Sequence, residues 1–332
     1  MKNRISVSLL AIIFLLVAYS CKKEKSLVVT PNPNPDNWPT DDIRTVASGL
    51  SFPWEILWGK DDYIWLTERG GKITRMDPKT GTVNYSTTIS DVVTNGEGGL
   101  LGMVQHPDFL SNGYLYIVYN YNKTGKYTEK AVRLTFKNNA LSDPLTIIDD
   151  IAAAGIHNGS RLWITSGGDP KLFITTGDAA NPALAQNTGA LNGKVLRVNL
   201  DGSIPADNPI SGSPVWSWGH RNQQGFVIAN DIVYASEHGA SIEDEVNIIE
   251  KNRNYGWPGV EGPCDGGETT FCNTNNVKQP IWSTGGNTRA VSGMDYYNND
   301  RIAQWKNSLL VATLKDATIW QLKLAGDGKS VA

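Results

Sequence analysis

Residues 63–77, YIWLTERGGKITRMD, contain a structural unit that recurs along the chain. Residues 63–68 form an apolar run with a polar end, and two glycines follow shortly after it. Residues 72–77 then alternate apolar and polar side chains, which is typical of a half-buried strand. Together they predict two antiparallel strands joined by a tight turn.

Four further segments share the form of the first strand, and each is followed by a second strand. The first strands are 114–120, 172–178, 231–239 and 308–316, and their partners are 131–136, 194–200, 245–250 and 318–324. Counted from residues 63, 114, 172, 231 and 308, the steps are 51, 58, 59 and 77 residues. Each step has room for one four-stranded antiparallel sheet, so the spacing predicts an all-β β-propeller. A β-sandwich of the same strands is the structural alternative, because period-two patterning does not specify how sheets are arranged.

Polar residues end the five first strands. In a propeller the inner strand of each blade delivers its end to one central mouth, and we interpret these five strands as the inner ones. Their ends are then expected to converge, whereas in a sandwich they would scatter. The ordinary alternative is that they terminate strands at a solvated edge. The residues are Glu68, Asn120, Asp178, His238 and Lys315.

Composition and charge exclude several classes of protein. The 332 residues are 40% hydrophobic, with 33 Gly, 11 Trp and 12 Tyr, which excludes disorder over most of the chain and favours short strands and turns. The formal charge of −3 supplies no basic field, so nucleic acid is not expected as a partner. The chain has no G-x-G-x-x-G turn for a nicotinamide cofactor and no G-x-S-x-G motif for a serine hydrolase.

The N-terminus has the pattern of an export signal. Lys2 and Arg4 precede an apolar stretch, residues 5–18, that is short for a membrane span. Residues 17–21, VAYSC, resemble the lipobox of bacterial lipoproteins. We therefore expect residues 1–20 to be a signal peptide of the lipoprotein type, with a lipid on Cys21 as the only membrane contact, at the periplasmic or cell surface. An ordinary signal peptide or an uncleaved anchor are the alternatives, and both also predict export.

Proline and asparagine are dense in the following segment, so residues 21–41 are predicted to be a lipidated cysteine and a flexible tether, and residues 42–332 to be the propeller. Cys264 and Cys272 lie within a Gly-rich stretch and are predicted to form a disulfide in an oxidising compartment. A zinc site is the alternative, but no second pair of ligands lies at a suitable spacing nearby.

More specific strings of residues carry a resemblance to a known family. They are 95–102 (NGEGGLLG), 106–109 (HPDF), 157–162 (HNGSRL), 176–178 (TGD), 193–197 (GKVLR), 201–205 (DGSIP), 219–225 (GHRNQQG), 236–240 (SEHGA), 244–247 (DEVN) and 254–258 (NYGWP). From about residue 42 onward the chain resembles the soluble aldose sugar dehydrogenases that use pyrroloquinoline quinone (PQQ). The resemblance implies a six-bladed propeller that binds PQQ and Ca²⁺ over its central mouth. It also implies oxidation of the C1 hydroxyl of an aldose to the lactone, with electrons passed to an external acceptor.

The resemblance also implies roles for two residues in catalysis. His157 matches the base that removes the hydroxyl proton, and an imidazole with an ordinary pKa near 6.5 suits that task at neutral pH. Asp178 matches the carboxylate that orients the imidazole and stabilises its cation. The ordinary alternative for this histidine is a residue of a surface loop.

Further residues match the family's cofactor and metal sites. Glu97, Arg221, Asn222 and Lys315 fall at cofactor-binding positions, and cationic side chains suit the three carboxylates of PQQ. The main-chain oxygens of two residues match the ligands of the cofactor calcium, and a glutamate with a tyrosine carbonyl matches a second, structural calcium site. These are Gly239 and Ala240, then Glu245 and Tyr255. A buried structural arginine, a solvated lysine and a glutamate of an acidic loop are the ordinary alternatives for Arg221, Lys315 and Glu245.

Three features depart from the family pattern. Glu97 stands where some members have Gln, and Ile156 stands where glucose-oxidising members have an Asp that touches the sugar. Five hairpins are visible, so we expect the last of six blades to be incomplete, because the sequence is a fragment or because the ring closes irregularly near Asp42. A propeller that binds glycans or a partner protein without catalysis is therefore the alternative function. A propeller lactonase is disfavoured because the acidic residues 243–245 look peripheral.

Overall fold

The computed structural model describes residues 28–32, 38 and 43–332. These residues contain nineteen strands in five antiparallel sheets. The first sheet contains β1 Pro53–Trp58, β2 Ile64–Glu68, β3 Lys72–Met76 and β4 Val83–Thr88. The second sheet contains β5 Leu100–Gln105, β6 Tyr114–Lys123, β7 Lys126–Lys137 and β8 Ala140–Ala152.

Three more sheets follow in chain order. The third contains β9 Gly159–Ile164, β10 Lys171–Thr176, β11 Lys194–Asn199 and β12 Val215–Trp218. The fourth contains β13 Gln223–Ala229, β14 Ile232–Glu237, β15 Glu245–Ile248 and β16 Trp282–Ser283. The fifth contains β17 Val291–Tyr297, β18 Ser308–Thr313 and β19 Thr318–Lys323.

Helical segments are short and lie in the connections. They are α1 Phe109–Asn112, α2 Ala183–Gln186 and α3 Thr269–Asn275, with 3₁₀ turns at Gly266–Glu268 and Asp300–Trp305. None of the helices within the described part of the chain is long and apolar enough to cross a bilayer. Cys264 and Cys272 form a disulfide across the start of α3, which confirms the predicted pair.

The sheets are arranged as blades around an axis. Within each sheet the strands pair in chain order, and the first strands of successive sheets, β1, β5, β9, β13 and β17, pack against one another. This arrangement is a propeller and not a sandwich, so the all-β propeller prediction is confirmed. The prediction of six blades is wrong for the described residues, which form five. The sixth blade was implied by the resemblance alone, whereas the strand spacing itself counts five units.

The choice of inner strand was also wrong. Polar-ended strands such as β2 and β10 are the second strands of their blades, and the inner strands precede them. Inner strands pack against the neighbouring blades on both faces, so they do not show clean alternation; β9, for example, is almost continuously buried. This explains why the period-two pattern selected the second strands.

Apolar side chains fill each interface between adjacent blades. Trp65 of β2 packs edge-on against Phe136 of β7, with ring centroids 5.0 Å apart. Comparable clusters join the second blade to the third, the third to the fourth and the fourth to the fifth. Replacing a buried aromatic such as Trp65 by Ala is expected to cost about 3–5 kcal/mol. The interfaces therefore make the ring a rigid support for the loops at its ends.

Part of the predicted tether packs against the ring. Val29 is buried between the first two blades, and its amide donates to the carbonyl of Leu110. Arg75 donates to the carbonyl of Thr30 at 3.2 Å. The described residues 28–32 are thus in contact with the propeller. The predicted signal peptide and Cys21 lie outside the described residues.

Candidate active site

Strand direction brings the functional loops to one end of the ring. An inner strand and the strand after it are antiparallel, so the start of the first and the end of the second share one edge of the blade. We call the ring end at which β1, β5, β9, β13 and β17 begin the site face. It carries Glu97 before β5, His157 before β9, Asp178 after β10 and Arg221 before β13.

His157 and Asp178 form a hydrogen-bonded pair on the site face. The Nδ1 atom of His157 lies 2.8 Å from the Oδ1 atom of Asp178. The imidazole is 14% exposed, whereas the carboxylate is fully buried. A carboxylate accepts a hydrogen bond, so the proton sits on Nδ1 and the lone pair of Nε2 is free to accept a proton. The structure thus brings the predicted base and its partner together.

A tryptophan that sequence reasoning gave no role fixes the second oxygen of Asp178. The indole Nε1 of Trp257 donates to Oδ2 at 2.9 Å, and the amide of Ala180 donates to Oδ1 at 2.9 Å. The amide of Asp178 donates to the carbonyl of Arg221 at 2.8 Å. These bonds hold the carboxylate facing His157. Trp257 belongs to the 254–258 string, but its pairing with a residue 79 positions away has no local signal.

Glu97 reaches the same turn from the loop before β5. Its Oε2 accepts a hydrogen bond from the amide of His157 at 3.1 Å, and its own amide donates to the carbonyl of Gly155 at 2.7 Å. Ile156, which precedes the imidazole, is 43% exposed. An exposed carboxylate and an exposed apolar side chain therefore flank His157.

Arg221 and Asn222 lie beside this pair. The Oδ1 of Asn222 accepts from the amide of Gly159 at 3.0 Å, which ties the fourth blade to the turn of His157. The Nη1 of Arg221 donates to the carbonyl of His238 at 3.3 Å, and its guanidinium lies 5.3 Å from the ring of Trp257. Within the described residues, the buried Nε of Arg221 and the buried Nε2 of His238 have no hydrogen-bond partner. Burial also lowers the pKa of His238, which favours its neutral form.

A buried glutamate positions the backbone of Arg221, and sequence reasoning missed it. The carboxylate of Glu237 accepts from the amide of Arg221 and, at 3.0 Å, pairs with Nδ1 of His220. The Nε2 of His220 lies 2.9 Å from the hydroxyl of Ser217. This Ser–His–Glu arrangement is inaccessible to a substrate because Ser217 and His220 are completely buried. Its role is to hold the loop before β13.

Lys315 lies on the site face but is not joined to the other predicted residues by any contact described. Its Nζ donates to the hydroxyl of Thr288 at 2.7 Å, and its amide donates to the carbonyl of Arg289 at 3.1 Å. The structure therefore brings Glu97, His157, Asp178, Arg221 and Asn222 together and places Lys315 at the rim of the fifth blade.

The predicted calcium residues lie beside Arg221. Gly239, Glu245 and Tyr255 line a cavity of about 10 Å³ together with three more glutamates, and the amide of Ala240 bonds to one of them, Glu261. Glu245 accepts from the amide of Gly262 at 2.6 Å. Burial and the negative charges nearby raise the pKa of Glu245 to about 8. The other glutamates of the lining are Glu237, Glu243 and Glu261.

Two features of this region bear on metal binding. A buried oxygen of Glu243 has no hydrogen-bond partner in the described part of the chain, and the amide of Gly239 donates to Asp244 at 3.0 Å. No group of three or more His, Cys, Asp and Glu side chains is arranged as a metal site among the residues described. Any cation here would thus depend on main-chain carbonyls as well as carboxylates.

Known proteins resemble this chain over most of its length. Residues 50–332 match the family model of glucose/sorbosone dehydrogenases. Quinoprotein glucose dehydrogenase B of Acinetobacter calcoaceticus is 38% identical over 70% of this chain and 55% of its own length. Aldose sugar dehydrogenase YliI of Escherichia coli is 30% identical over 87% of this chain and 82% of its own length. The chain thus spans about half the length of the first relative and most of the second.

A solved structure shares the fold. The PQQ-bound aldose sugar dehydrogenase of Streptomyces coelicolor matches with a TM-score of 0.75 at 32% identity, over 87% of this chain and 82% of that chain. The family model covers far more than half of the residues, and the relatives agree with it. This chain therefore belongs to the glucose/sorbosone dehydrogenase family, that of the soluble PQQ-dependent aldose sugar dehydrogenases.

Proposed function

We propose that this protein oxidises the C1 hydroxyl of an aldose to the lactone with PQQ, and that an external acceptor then takes the electrons. The observation that carries the proposal is the His157–Asp178 pair, with a free imidazole Nε2, beside the partly exposed Arg221, whose buried Nε has no hydrogen-bond partner among the described residues. A base and a cationic anchor on one face are what this reaction requires of a protein.

The residues present fit a planar cofactor with three carboxylates. Arg221 offers a buried Nε without a partner among the described residues, and His238 offers a second such nitrogen nearby. Hydrogen bonds between a guanidinium and a carboxylate are strong and directional. Arg221 and Asn222 would hold PQQ on the fourth blade, with Lys315 on the fifth. When bound, PQQ supplies the carbon that accepts the C1 hydrogen together with two electrons.

The side chains then have separate tasks in the reaction. The Nε2 of His157 takes the proton of the C1 hydroxyl as its O–H bond breaks. Asp178 stabilises the resulting imidazolium because its carboxylate is buried and only 2.8 Å from Nδ1. Trp257 and the amide of Ala180 keep that carboxylate from turning away. The proton later leaves the imidazole to solvent through its exposed edge.

Calcium is part of the same proposal. The carbonyls of Gly239 and Ala240 would hold the cofactor calcium, and Glu245 with the carbonyl of Tyr255 would hold a structural one. Support comes from the crowding of carboxylates around a small cavity and from the unpartnered oxygen of Glu243 within the described residues. A cation would offset the burial and the nearby negative charges that together raise the pKa of Glu245.

One residue fits the cofactor poorly. Glu97 places a carboxylate beside His157, and a second negative charge near the carboxylates of PQQ is repulsive unless it is paired. Together with the exposed Ile156, it favours a second candidate function, in which the site face binds glycans or a partner protein without catalysis. A chain that binds glycans but neither PQQ nor calcium would support that alternative.

We further propose that the protein is exported and anchored by a lipid on Cys21. The support is the sequence of residues 1–21. Mass spectrometry of the N-terminal peptide from membranes would test it, since lipidation adds acyl mass to Cys21. A mature N-terminus elsewhere, without acyl groups, would contradict it.

The direct test of the function combines binding and turnover. Purified residues 22–332 are titrated with PQQ in the presence of calcium, then assayed with a panel of aldoses and a dye as acceptor. The proposal predicts saturable PQQ binding and dye reduction with at least one aldose. Arg221→Ala should weaken PQQ binding about 30-fold or more, because one charged hydrogen bond is worth about 2–3 kcal/mol. Arg197→Ala, which breaks an ion pair with Asp207 outside the site, should bind normally.

A further inference from the structure

The turn that carries His157 has an unfavourable backbone. Three of its four residues lie in the left-handed region, with φ of 59° at His157, 69° at Gly159 and 75° at Ser160. Only glycine adopts this region freely, so the other two residues must be held by their surroundings. The position of the imidazole therefore depends on what lies beneath the turn.

A buried carboxyl group lies directly beneath it. The hydroxyl of Ser160 donates to Oε2 of Glu129 at 2.7 Å, and Nδ2 of Asn120 approaches the same oxygen at 3.4 Å. Asn120 also approaches Oδ1 of Asn158 at 3.4 Å. Asn158 in turn bonds to both the amide and the carbonyl of Ala154. Glu129 thus forms the base of a polar network that encloses the turn.

We propose that Glu129 is a positioning residue for catalysis, which holds the His157–Ser160 turn through Ser160 and Asn120 while it is uncharged and loosens that turn when it ionises. The effect of Glu129 on turnover rests on the proposed function. Its effect on the imidazole of His157 is independent of any cofactor. Glu129 is fully buried and therefore out of reach of a substrate or cofactor, so it acts only through its neighbours.

The surroundings of Glu129 favour the uncharged form. Its second oxygen, Oε1, is buried without a hydrogen-bond partner in the described residues. From the packed strands β6, β8 and β9 it is faced by Asn120, Ile151 and Ser160, none of which ionises. On its own strand the facing ionisable group is the hydroxyl of Tyr127, beyond which lies Arg69. Within the described part of the chain, therefore, no cation pairs with Glu129.

Burial favours the protonated form of Glu129. Desolvation raises the pKa of Glu129 to about 8, although hydrogen bonds from Ser160 and Asn120 oppose it. The carboxyl is thus mostly neutral at pH 7 and ionised above pH 8. Ionisation leaves a buried negative charge beneath the turn that has hydrogen bonds from Ser160 and Asn120 but no cation beside it in the described residues. The turn must then shift to admit water or another donor.

The sign of the stability change follows from linkage. The unfolded chain releases this proton near the ordinary value of 4.5, whereas the folded chain keeps it up to about 8. The contribution of Glu129 to folding stability is fully present below its pKa in the unfolded chain. It is lost as the pH rises through its pKa in the folded chain. The amide side chain in Glu129→Gln has the same shape as the protonated carboxyl group and cannot ionise. The variant therefore does not lose stability in this way as the pH rises.

The experiment compares wild type with Glu129→Gln from about pH 5 to about pH 9. Three quantities are measured: kcat of the PQQ-loaded enzyme, Tm of the apoprotein and the imidazole NMR signals of His157 in the apoprotein. We expect wild-type kcat to fall and the His157 signals to shift with a midpoint near pH 8. Neither change should occur in Glu129→Gln. The Tm of this variant should exceed the Tm of wild type by a difference that grows as the pH rises.

A control and a second variant keep the test decisive. Asp295, whose pKa is also raised by burial, lies toward the opposite end of β17, so Asp295→Asn should keep the wild-type profiles of kcat and His157. Ser160→Ala removes the direct hydrogen bond and should lower kcat about tenfold and shift the His157 signals below pH 8. It serves in place of Glu129→Gln if that variant does not fold.

The outcomes separate this proposal from the proposed function. If no protein turns over an aldose but the His157 signals follow Glu129 as described, the proposed function fails and the positioning role stands. If Glu129→Gln retains the wild-type alkaline change in the His157 signals, the positioning role is overturned. Unchanged His157 signals in Ser160→Ala would overturn it as well.

Discussion

The Nδ1 atom of His157 and the Oδ1 atom of Asp178 lie 2.8 Å apart, although the first residue precedes β9 and the second follows β10. The antiparallel pairing of those two strands brings both residues to the same edge of the third blade. The bond fixes the imidazole tautomer and leaves the lone pair of Nε2 free to accept a proton. The geometry of one blade therefore sets the chemistry of the site.

Asp178→Asn is expected to lower kcat about 10²–10⁴-fold with little change in PQQ affinity. An amide in this position can present its NH₂ group to Nδ1, which favours the wrong tautomer and removes the charge that stabilises the imidazolium. Steady-state kinetics of the reconstituted enzyme measures the change. A kcat within threefold of wild type would show that Asp178 has no such role.

Trp257→Phe is expected to lower kcat about tenfold, because it removes the hydrogen bond to Oδ2 of Asp178 while keeping an aromatic ring. Trp216→Phe is the matched control, since the buried indole nitrogen of Trp216 has no hydrogen-bond partner within the described residues. The control should leave kcat unchanged. Equal losses in both variants would mean that the effect comes from packing and not from the position of Asp178.

Glu97→Gln is expected to strengthen PQQ binding about fivefold, since removing one negative charge near an anionic ligand is worth about 1 kcal/mol at high effective dielectric. Fluorescence titration at low and high salt measures the affinity. The gain should shrink as salt screens the exposed carboxylate. Weaker binding in Glu97→Gln would show instead that the carboxylate is paired when the cofactor binds.

Calcium is expected to stabilise the apoprotein by about 2.7 kcal/mol when its concentration is 100 times the dissociation constant. Differential scanning calorimetry with calcium, with magnesium and with a chelator measures the effect. Magnesium should do less, because it requires short octahedral coordination and the site offers carbonyls on loops. Glu245→Gln should remove part of the calcium effect, and an unchanged effect would contradict the assignment of Glu245.

The sequence predicted the repeated unit and the shared location of the site residues, but not which strand is innermost. Alternation marks strands with one solvated face, so it selected β2 and β10 and passed over β9, which packs on both faces. The resemblance then supplied a sixth blade that the described residues do not contain. The strand spacing thus revealed the five blades but not the order of strands within them.

The site divides in the same way. His157, Asp178, Arg221 and Asn222 were predicted from short strings of residues, and the structure brings them together. Trp257 and Glu129 could not be predicted, because each acts on a residue far away in the chain through a contact that only the folded ring creates. Their residue types carry no local signal.

A single-turnover experiment separates the binding of PQQ from its reduction by the sugar. Protein loaded with PQQ and calcium is mixed with an aldose in a stopped-flow spectrometer without an electron acceptor, and the cofactor spectrum is followed. Wild type is expected to reduce PQQ, whereas His157→Ala is expected to bind PQQ normally and to reduce it about 10²-fold or more slowly. Two results would contradict the proposed role of His157 and the proposed reaction. One is reduction of PQQ in His157→Ala at the wild-type rate, and the other is no reduction of bound PQQ by any aldose in wild type.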